Sequence, residues 1–175
     1  PTVLLSDLTK SKVTVSLSGD GGDEIFGGYG RYFLGQQIVN SLGKIPYPIR
    51  KSIKSSGLIN NSLTRNISNF LIGGSVSNFH QKFEKLNNIF DFTDESDLYK
   101  KLSTFGNNFI LNPSSMPFSS NDIWSRRMSY AEKAMMQDTI DYLPGDILTK
   151  VDRAGMSASL ETRIPFLDHE IISYA

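Results

Sequence analysis

The chain has 175 residues, 39% of them hydrophobic and 21% charged, the composition of one medium-sized globular domain and not of a disordered segment. Its 18 acidic residues match its 18 basic ones, so no global field draws nucleic acid or an anionic membrane, and any anion site has to be local. Cysteine is absent, which excludes disulfides, thiolate zinc sites and a cysteine nucleophile within these residues; no apolar run nears the roughly 20 residues that span a bilayer, and the compartment read from this is the cytoplasm.

Pro1 to Thr9 reads as a short helix ahead of a strand, Val13 to Leu17, in which Val13, Val15 and Leu17 alternate with polar neighbours. Ser18, Gly19, Asp20, Gly21, Gly22 and Asp23 then form a loop. Glycines let backbone N–H groups approach a bulky anion, and interleaved carboxylates hold a divalent cation against it, so the loop has the make-up of a site for a metal-bound polyphosphate. For Gly21, Gly22, Gly27 and Gly28, turn geometry competes with ligand contact as the reason for glycine. Glu24 suits the first turn of a helix, where it complements the dipole. Tyr29 and Tyr32 read as packing aromatics.

A helix follows over Tyr29 to Leu42, closed by Gly43, and Pro46 and Pro48 break the chain. Ile49, Ile53 and Leu58 predict another helix near Ser52; Leu63, Ile67, Phe70 and Leu71 share a helical face that ends at Gly73 and Gly74. Ser77 or Asn78 caps a segment carrying Phe79, Phe83 and Leu86, Glu95 to Phe105 supplies a further helix, and Asn107 to Ser120, with Pro113 and Pro117, reads as a loop. A long helix is predicted from Trp124 to Leu143 with Met128, Ala131, Met135 and Tyr142 on one face as core filler, stopped by Pro144 and Gly145. Asp146 is read as the cap of a short helix through Ala154. Only one strand is convincing, and its partners are expected in sequence before Pro1. The ends read as cut: the chain opens without Met, and the apolar run Ile171, Ile172, Tyr174 meets Ala175 with no polar tail.

Two stretches, LSGDGGDEIFGGYGRY at Leu17 to Tyr32 and YLPGDILTKVDRAGMSASLETRIPFLDHEII at Tyr142 to Ile172, together resemble the synthetase domain of glutamine-hydrolysing asparagine synthetases. The likeness is close in wording and order over those stretches and diffuse between them. It implies an α/β fold of the adenine nucleotide alpha-hydrolase-like, ATP-pyrophosphatase type, truncated here and therefore mostly helical. Residues 1–175 would be a partial domain lacking the N-terminal glutaminase domain, the SGGxDS phosphate loop and the C-terminal end. Such enzymes activate the side-chain carboxylate of aspartate with Mg-ATP, giving β-aspartyl-AMP and pyrophosphate, and glutamine-derived ammonia then attacks. On that resemblance Ser18 and Gly19 contact ATP with Gly21 and Gly22, Asp23 completes the Mg²⁺–pyrophosphate site, and Asp20 takes the place of an acidic residue, often Glu, tied to forming the intermediate.

In the second stretch Lys150, Asp152 and Arg153 lie within one helical turn, with Lys150 and Arg153 on a shared face. The resemblance places a cation that stabilises charge during adenylation at Arg153, where the family frequently has Lys; Arg offers a planar fork in place of a point charge, and Lys150 can share the role. Glu161, Arg163 and Asp168 around Pro165 read as a buried or half-buried ion network that fixes a wall of the site. Gly43 and Lys44 lack the spacing of a nucleotide P-loop, and His80 and His169 are too isolated to argue for zinc. Two other readings stay open: a relative that amidates another carboxylate, such as a sugar acid, or closes a lactam ring, and a non-catalytic helical module for assembly. The expected partners are small molecules, with no nucleic acid and no membrane, and homodimer formation is left open.

Overall fold

A computed structural model describes residues 1–56, 89–103 and 121–175, the Asn121 side chain excepted. The helices expected around Leu63 to Leu71 and Phe79 to Leu86, the loop from Asn107 to Ser120, and Leu58, His80 and Phe105 lie outside the described residues. In chain order the described elements are α1 (Thr2–Lys10), β1 (Val15–Leu17), α2 (Gly22–Phe26), α3 (Gly30–Ser41), a 3₁₀ turn (Leu42–Lys44), α4 (Tyr47–Ser55), α5 (Glu95–Ser103), α6 (Asn121–Ser125), α7 (Tyr130–Gln137), a π-helix (Asp138–Leu148), α8 (Thr149–Ser157), β2 (Glu161–Arg163), a 3₁₀ turn (Pro165–Leu167) and α9 (His169–Tyr174). They fall into two compact units, one formed by Pro1–Tyr29 with Ala134–Ala175 and the other by Gly30–Lys133. No helix among the described residues is long and apolar enough to cross a membrane.

The first unit is built on a parallel pair of strands. Val15 lies opposite Glu161, Ser16 opposite Thr162 and Leu17 opposite Arg163. Glu161 N–H donates to Thr14 O at 3.0 Å and Ser18 N–H to Arg163 O at 2.8 Å, extending the ladder at both ends. This corrects the expectation of a single strand whose partners all precede Pro1: β2 is the sequence Glu-Thr-Arg, whose charged residues give no apolar alternation to read. β1 itself starts two residues later than expected, because Lys12 N–H (2.9 Å) and Val13 N–H (3.0 Å) both donate to Thr9 O and spend Val13 on closing α1. Helix α8 packs against α1, the π-helix and β2, and the π-helix packs on α2. Leu143, Ile147, Ala154 and Leu160 are buried there, while Leu4, Leu5 and Leu8 of α1 and Leu17 of β1 are each more than 60% exposed.

The long helix expected over Trp124 to Leu143 is interrupted. It stops at Ser125 and restarts at Tyr130 behind a reciprocal cap, in which Glu132 N–H donates to Ser129 Oγ (3.3 Å) while Ser129 N–H donates to Glu132 Oε2 (2.8 Å). Met128 consequently sits in the intervening turn, 38% exposed, and does not share a buried face with Met135. Nor do Pro144 and Gly145 end the helix. The chain passes through both as a π-helix and enters α8 directly, so Asp146 caps nothing. Pro144 lacks the N–H that would close a turn behind it, and the wider π turn carries the chain past that gap.

In the second unit Tyr32, Ile38 and Leu98 are almost fully buried. Gly35 leaves the notch that the Tyr130 ring fills, with the Tyr130 hydroxyl 2.7 Å from where a Cβ on Gly35 would stand. Pro46 and Pro48 separate α3 from α4 as expected and also open the new helix, Pro46 at its cap and Pro48 in its first turn, where a missing N–H costs nothing. Arg50 is buried with no ion-pair partner among the described residues, although the Asp91 charge acts on it: its guanidinium stacks 3.8 Å from the Phe92 ring centroid and donates to Ile45 O (2.9 Å) and Phe90 O (3.3 Å). Desolvation lowers its pKa below the ordinary arginine value.

Candidate functional site

The glycine loop leaves the carboxyl end of β1, the edge where open α/β sheets collect ligands. Ser18 is fixed through its backbone to Arg163 of β2, and its Oγ donates a hydrogen bond to Asp20 Oδ2. The half-buried Asp20 carboxylate is thereby aimed by the residue that follows the strand. Gly21 turns the chain at φ 83, a left-handed angle that a side chain would resist, and Gly22 opens α2. Asp23 stands exposed in the first turn of α2, next to a fully buried Glu24. Gly27 at φ 73 closes the helix after five residues.

These glycines are also the seat of the second motif. A Cβ on Gly21 would lie 2.6 Å from Leu167 Cδ2, one on Gly22 3.2 Å from the Phe166 ring, and one on Gly19 3.9 Å from it. Phe26 meets Phe166 edge-on at 5.8 Å between centroids, and Tyr29 meets Tyr142 of the π-helix edge-on at 6.3 Å. Two segments more than a hundred residues apart are thus joined by strand pairing, by the Pro165–Leu167 turn and by the π-helix.

Lys150 and Arg153 are both exposed in the first half of α8. The chain reverses tightly after α8, with Leu160 N–H donating to Gly155 O at 2.9 Å, so that the helix runs back along residues 159–167. Neither cation has an ion-pair partner among the described residues, and neither is hydrogen-bonded to Asp20 or Asp23. A cavity of about 780 Å³ lies between α8 and β2, lined by Val151, Asp152, Met156, Leu160 and Leu167 among others. Ser18, Asp20, Asp23, Lys150 and Arg153 do not line it.

The network expected from Glu161, Arg163 and Asp168 is not formed. Arg163 Nε donates to Glu161 Oε1 at 2.7 Å, but both side chains are more than half exposed, since both alternate onto the open face of β2. Asp168 instead caps α9, accepting from Glu170 N–H at 2.9 Å, and the neighbouring His169 is exposed. The sequence reading also undervalued Glu24 and Tyr29. Tyr29 Oη donates to the buried Glu24 carboxylate at 2.7 Å, and burial, followed by that hydrogen bond to an anion, pushes the phenol pKa well above its ordinary value. The available signal was local: a second acid directly after Asp23, with a tyrosine five residues on, past two glycines.

Among the described residues no three carboxylate, imidazole or thiol groups converge as a self-sufficient metal cage. Magnesium carried by a polyphosphate takes only one or two protein carboxylates, the phosphates and water supplying the remaining oxygens. Exposed Asp23, beside the oriented Asp20, fits that smaller demand.

The family model described as asparagine synthase matches residues 1–175. Proteins of Mycobacterium bovis and Mycobacterium tuberculosis provisionally named asparagine synthetase (glutamine-hydrolysing) are each 27% identical over 188 residues, and asparagine synthetase (glutamine-hydrolysing) 1 of Bacillus subtilis is 28% identical over 181. Each alignment takes in 100% of this chain and 26% of the relative, so the chain spans about a quarter of the length of the curated relatives it matches. No solved structure gives a significant match.

Proposed function

The chain belongs to the asparagine synthase family, and from that premise we propose that it carries part of the site in which a carboxylic acid, aspartate in the first instance, is activated by Mg-ATP and then amidated by glutamine-derived ammonia. The fold we assign to the whole domain is the ATP-pyrophosphatase type, an α/β sheet of which β1 and β2 are two strands. The exposed apolar side chains of α1 and β1 are then the surface that further sequence of such a protein covers. We place the activity in the cytoplasm.

The observation that carries this reading is the turn in which Ser18 aims Asp20 while the next helix presents Asp23, all of it seated on Phe166 and Leu167 of the second motif. Adenylation joins a carboxylate oxygen to the α-phosphorus of ATP and breaks the bond to the bridging oxygen, so negative charge grows on departing pyrophosphate. Ser18 and the backbone N–H groups of Gly19, Gly21 and Gly22 bind the phosphates, and Asp23 holds the magnesium that offsets their charge. Asp20 faces the reacting carboxyl group. Arg153, with Lys150 beside it on the helix, approaches from the second motif to meet the charge on phosphorus. Ammonia then attacks the acyl carbon and the C–O bond to AMP breaks, giving the amide.

Asp20 is one methylene shorter than the Glu frequent in the family, and Arg153 replaces a frequent Lys. Nothing in these residues reports the shape of the acid, so another carboxylate such as a sugar acid stands as the second acceptor. The deciding experiment is isotope exchange between pyrophosphate and ATP in the full-length protein, first with aspartate and then with other acids. Exchange dependent on aspartate supports the first acceptor and exchange with a different acid the second; no exchange with any acid refutes the adenylation reading and leaves an assembly role. Asp23→Asn is expected to weaken magnesium pyrophosphate binding by about 10- to 100-fold with folding intact, and unchanged binding would refute the metal assignment.

A further inference from the structure

Asp23 is exposed in the first turn of α2, yet its side chain rests against the backbone that follows the helix. Its carboxyl group folds back over the Gly27–Gly28 turn: a Cβ on Gly28 would stand 2.8 Å from Asp23 Cγ and closer still to Oδ1. The same turn is tied to Asp23 through the backbone, Gly28 N–H donating to Asp23 O at 2.9 Å. The residue after the turn, Tyr29, is anchored in its place by the hydrogen bond from its hydroxyl to buried Glu24 and by its edge contact with Tyr142. Glu24 is 1% exposed, and a carboxylate so buried is costly unless it accepts strong hydrogen bonds, so the Tyr29 contact is strongly held. The consequence is a closed clasp. The hydrogen bond from Tyr29 to Glu24 of α2 spans the Gly27–Gly28 turn, and the missing side chain of Gly28 leaves the space in which the Asp23 carboxylate rests.

We propose that Gly28 and the Glu24–Tyr29 hydrogen bond position the Asp23 carboxylate toward the metal-bound diphosphate, making Gly28 and Tyr29 positioning residues of that site. The inference rests on the reading of Asp23 given under Proposed function, and adds two residues that touch neither the metal nor the phosphates. Gly28→Ala pushes the carboxyl group out of the space it occupies, and Tyr29→Phe opens the clasp while keeping the ring against Tyr142.

The test is calorimetric binding of magnesium pyrophosphate to the full-length protein, for the parent, for Gly28→Ala and Tyr29→Phe, and for each of these combined with Asp23→Asn. Groups that orient a metal ligand are worth about 10- to 100-fold in affinity, so Gly28→Ala is expected to weaken binding at least about tenfold and Tyr29→Phe by a smaller factor. In the Asp23→Asn background, where no carboxylate remains to be positioned, neither change should matter by more than about twofold. A merely structural role would lower affinity by the same factor in both backgrounds, and that result overturns the proposal. So does parent-like affinity of Gly28→Ala when Asp23→Asn is weakened. If Gly28→Ala does not fold, Tyr29→Phe and its double variant decide alone by the same comparison. A parent that binds no magnesium pyrophosphate sinks both the proposal and the reading of Asp23, which separates that failure from failure of the clasp alone.

Discussion

Gly21→Ala isolates the joint between the two motifs. Gly21 is buried at φ 83, and its added methyl carbon would lie 2.6 Å from Leu167 Cδ2 and 3.1 Å from Leu167 Cγ. Holding a residue with a Cβ in the left-handed region costs about 1–2 kcal/mol. The overlap with Leu167 forces a rotamer change or a backbone shift costing about 1–3 kcal/mol more, and the smaller conformational freedom of alanine in the unfolded chain returns about 0.4–1 kcal/mol. The net loss is on the order of 2–4 kcal/mol, a large fraction of the stability of an ordinary domain. Denaturant unfolding followed by circular dichroism measures it. The two contributions separate in a second variant: with Leu167→Ala present the overlap disappears, and the cost of Gly21→Ala should fall to about 1 kcal/mol, the left-handed penalty less the unfolded-state gain. A parent-like midpoint for Gly21→Ala, or an equal loss with and without Leu167, would refute the claim that Leu167 seats on this glycine.

Three further outcomes follow from geometry. Arg163→Ala should cost less than about 1 kcal/mol, since its pairing with Glu161 is solvent-exposed, and a loss of several kcal/mol on denaturation would restore the buried network that the sequence had implied. Ser159→Gly should stabilise by roughly 0.5–1 kcal/mol, because Ser159 sits at φ 54 just beyond α8 and relief of its left-handed strain exceeds the added entropy cost of glycine; an unchanged or lower unfolding midpoint would count against this. In the second unit Asp91 accepts from Lys54 at 2.7 Å and Lys101 at 3.1 Å, and although burial pushes its pKa up, those hydrogen bonds outweigh it and leave the group below the ordinary carboxylate value. A depressed folded-state pKa contributes stability that is present above the unfolded value and lost as pH falls through the folded one. Asp91→Asn should therefore be less stable than the parent at neutral pH by about 1 kcal/mol, with the gap closing in acid, and a gap independent of pH would show that the charge is not what Lys54 and Lys101 recognise.

Local signals in the sequence predict the well-punctuated helices and fail where a boundary is set by partners distant in the chain. Helix α3 falls within the stretch bounded by Tyr29 and Gly43, and α5 starts where Asp94 accepts from Asp97 N–H at 2.9 Å, a cap visible in the order of the residues. The break before α7 was equally legible, since Ser129 and Glu132 spell a reciprocal cap, but the methionine periodicity across it concealed the stop. The π-helix could not be read. Pro144 and Gly145 carry strong terminating propensities, yet the backbone runs through them as a wider helix packed on α2 and α8, partners that local sequence does not name. β2 was illegible for a related reason: its three residues are defined by hydrogen bonds to β1, and two of its side chains face outward on an exposed strand.

The same division explains how the candidate site could be named residue by residue while its geometry could not. Ser18, Asp20, Asp23 and Arg153 came from wording, which records identity and order. That Ser18 would aim Asp20, that Gly19 to Gly22 would press on Phe166 and Leu167, and that Glu24 would be buried under Tyr29 all depend on contacts. Glycine illustrates the difficulty best. At Gly21 and Gly27 a positive φ requires it, while at Gly28 the requirement comes from the carboxyl group that occupies the vacant Cβ direction. A sequence presents these three as equivalent turn residues. Once folded, two of them shape the backbone and the third makes room for an acid, so a run of glycines beside carboxylates is to be read for the side chains it admits as well as for the phosphates its backbone can reach.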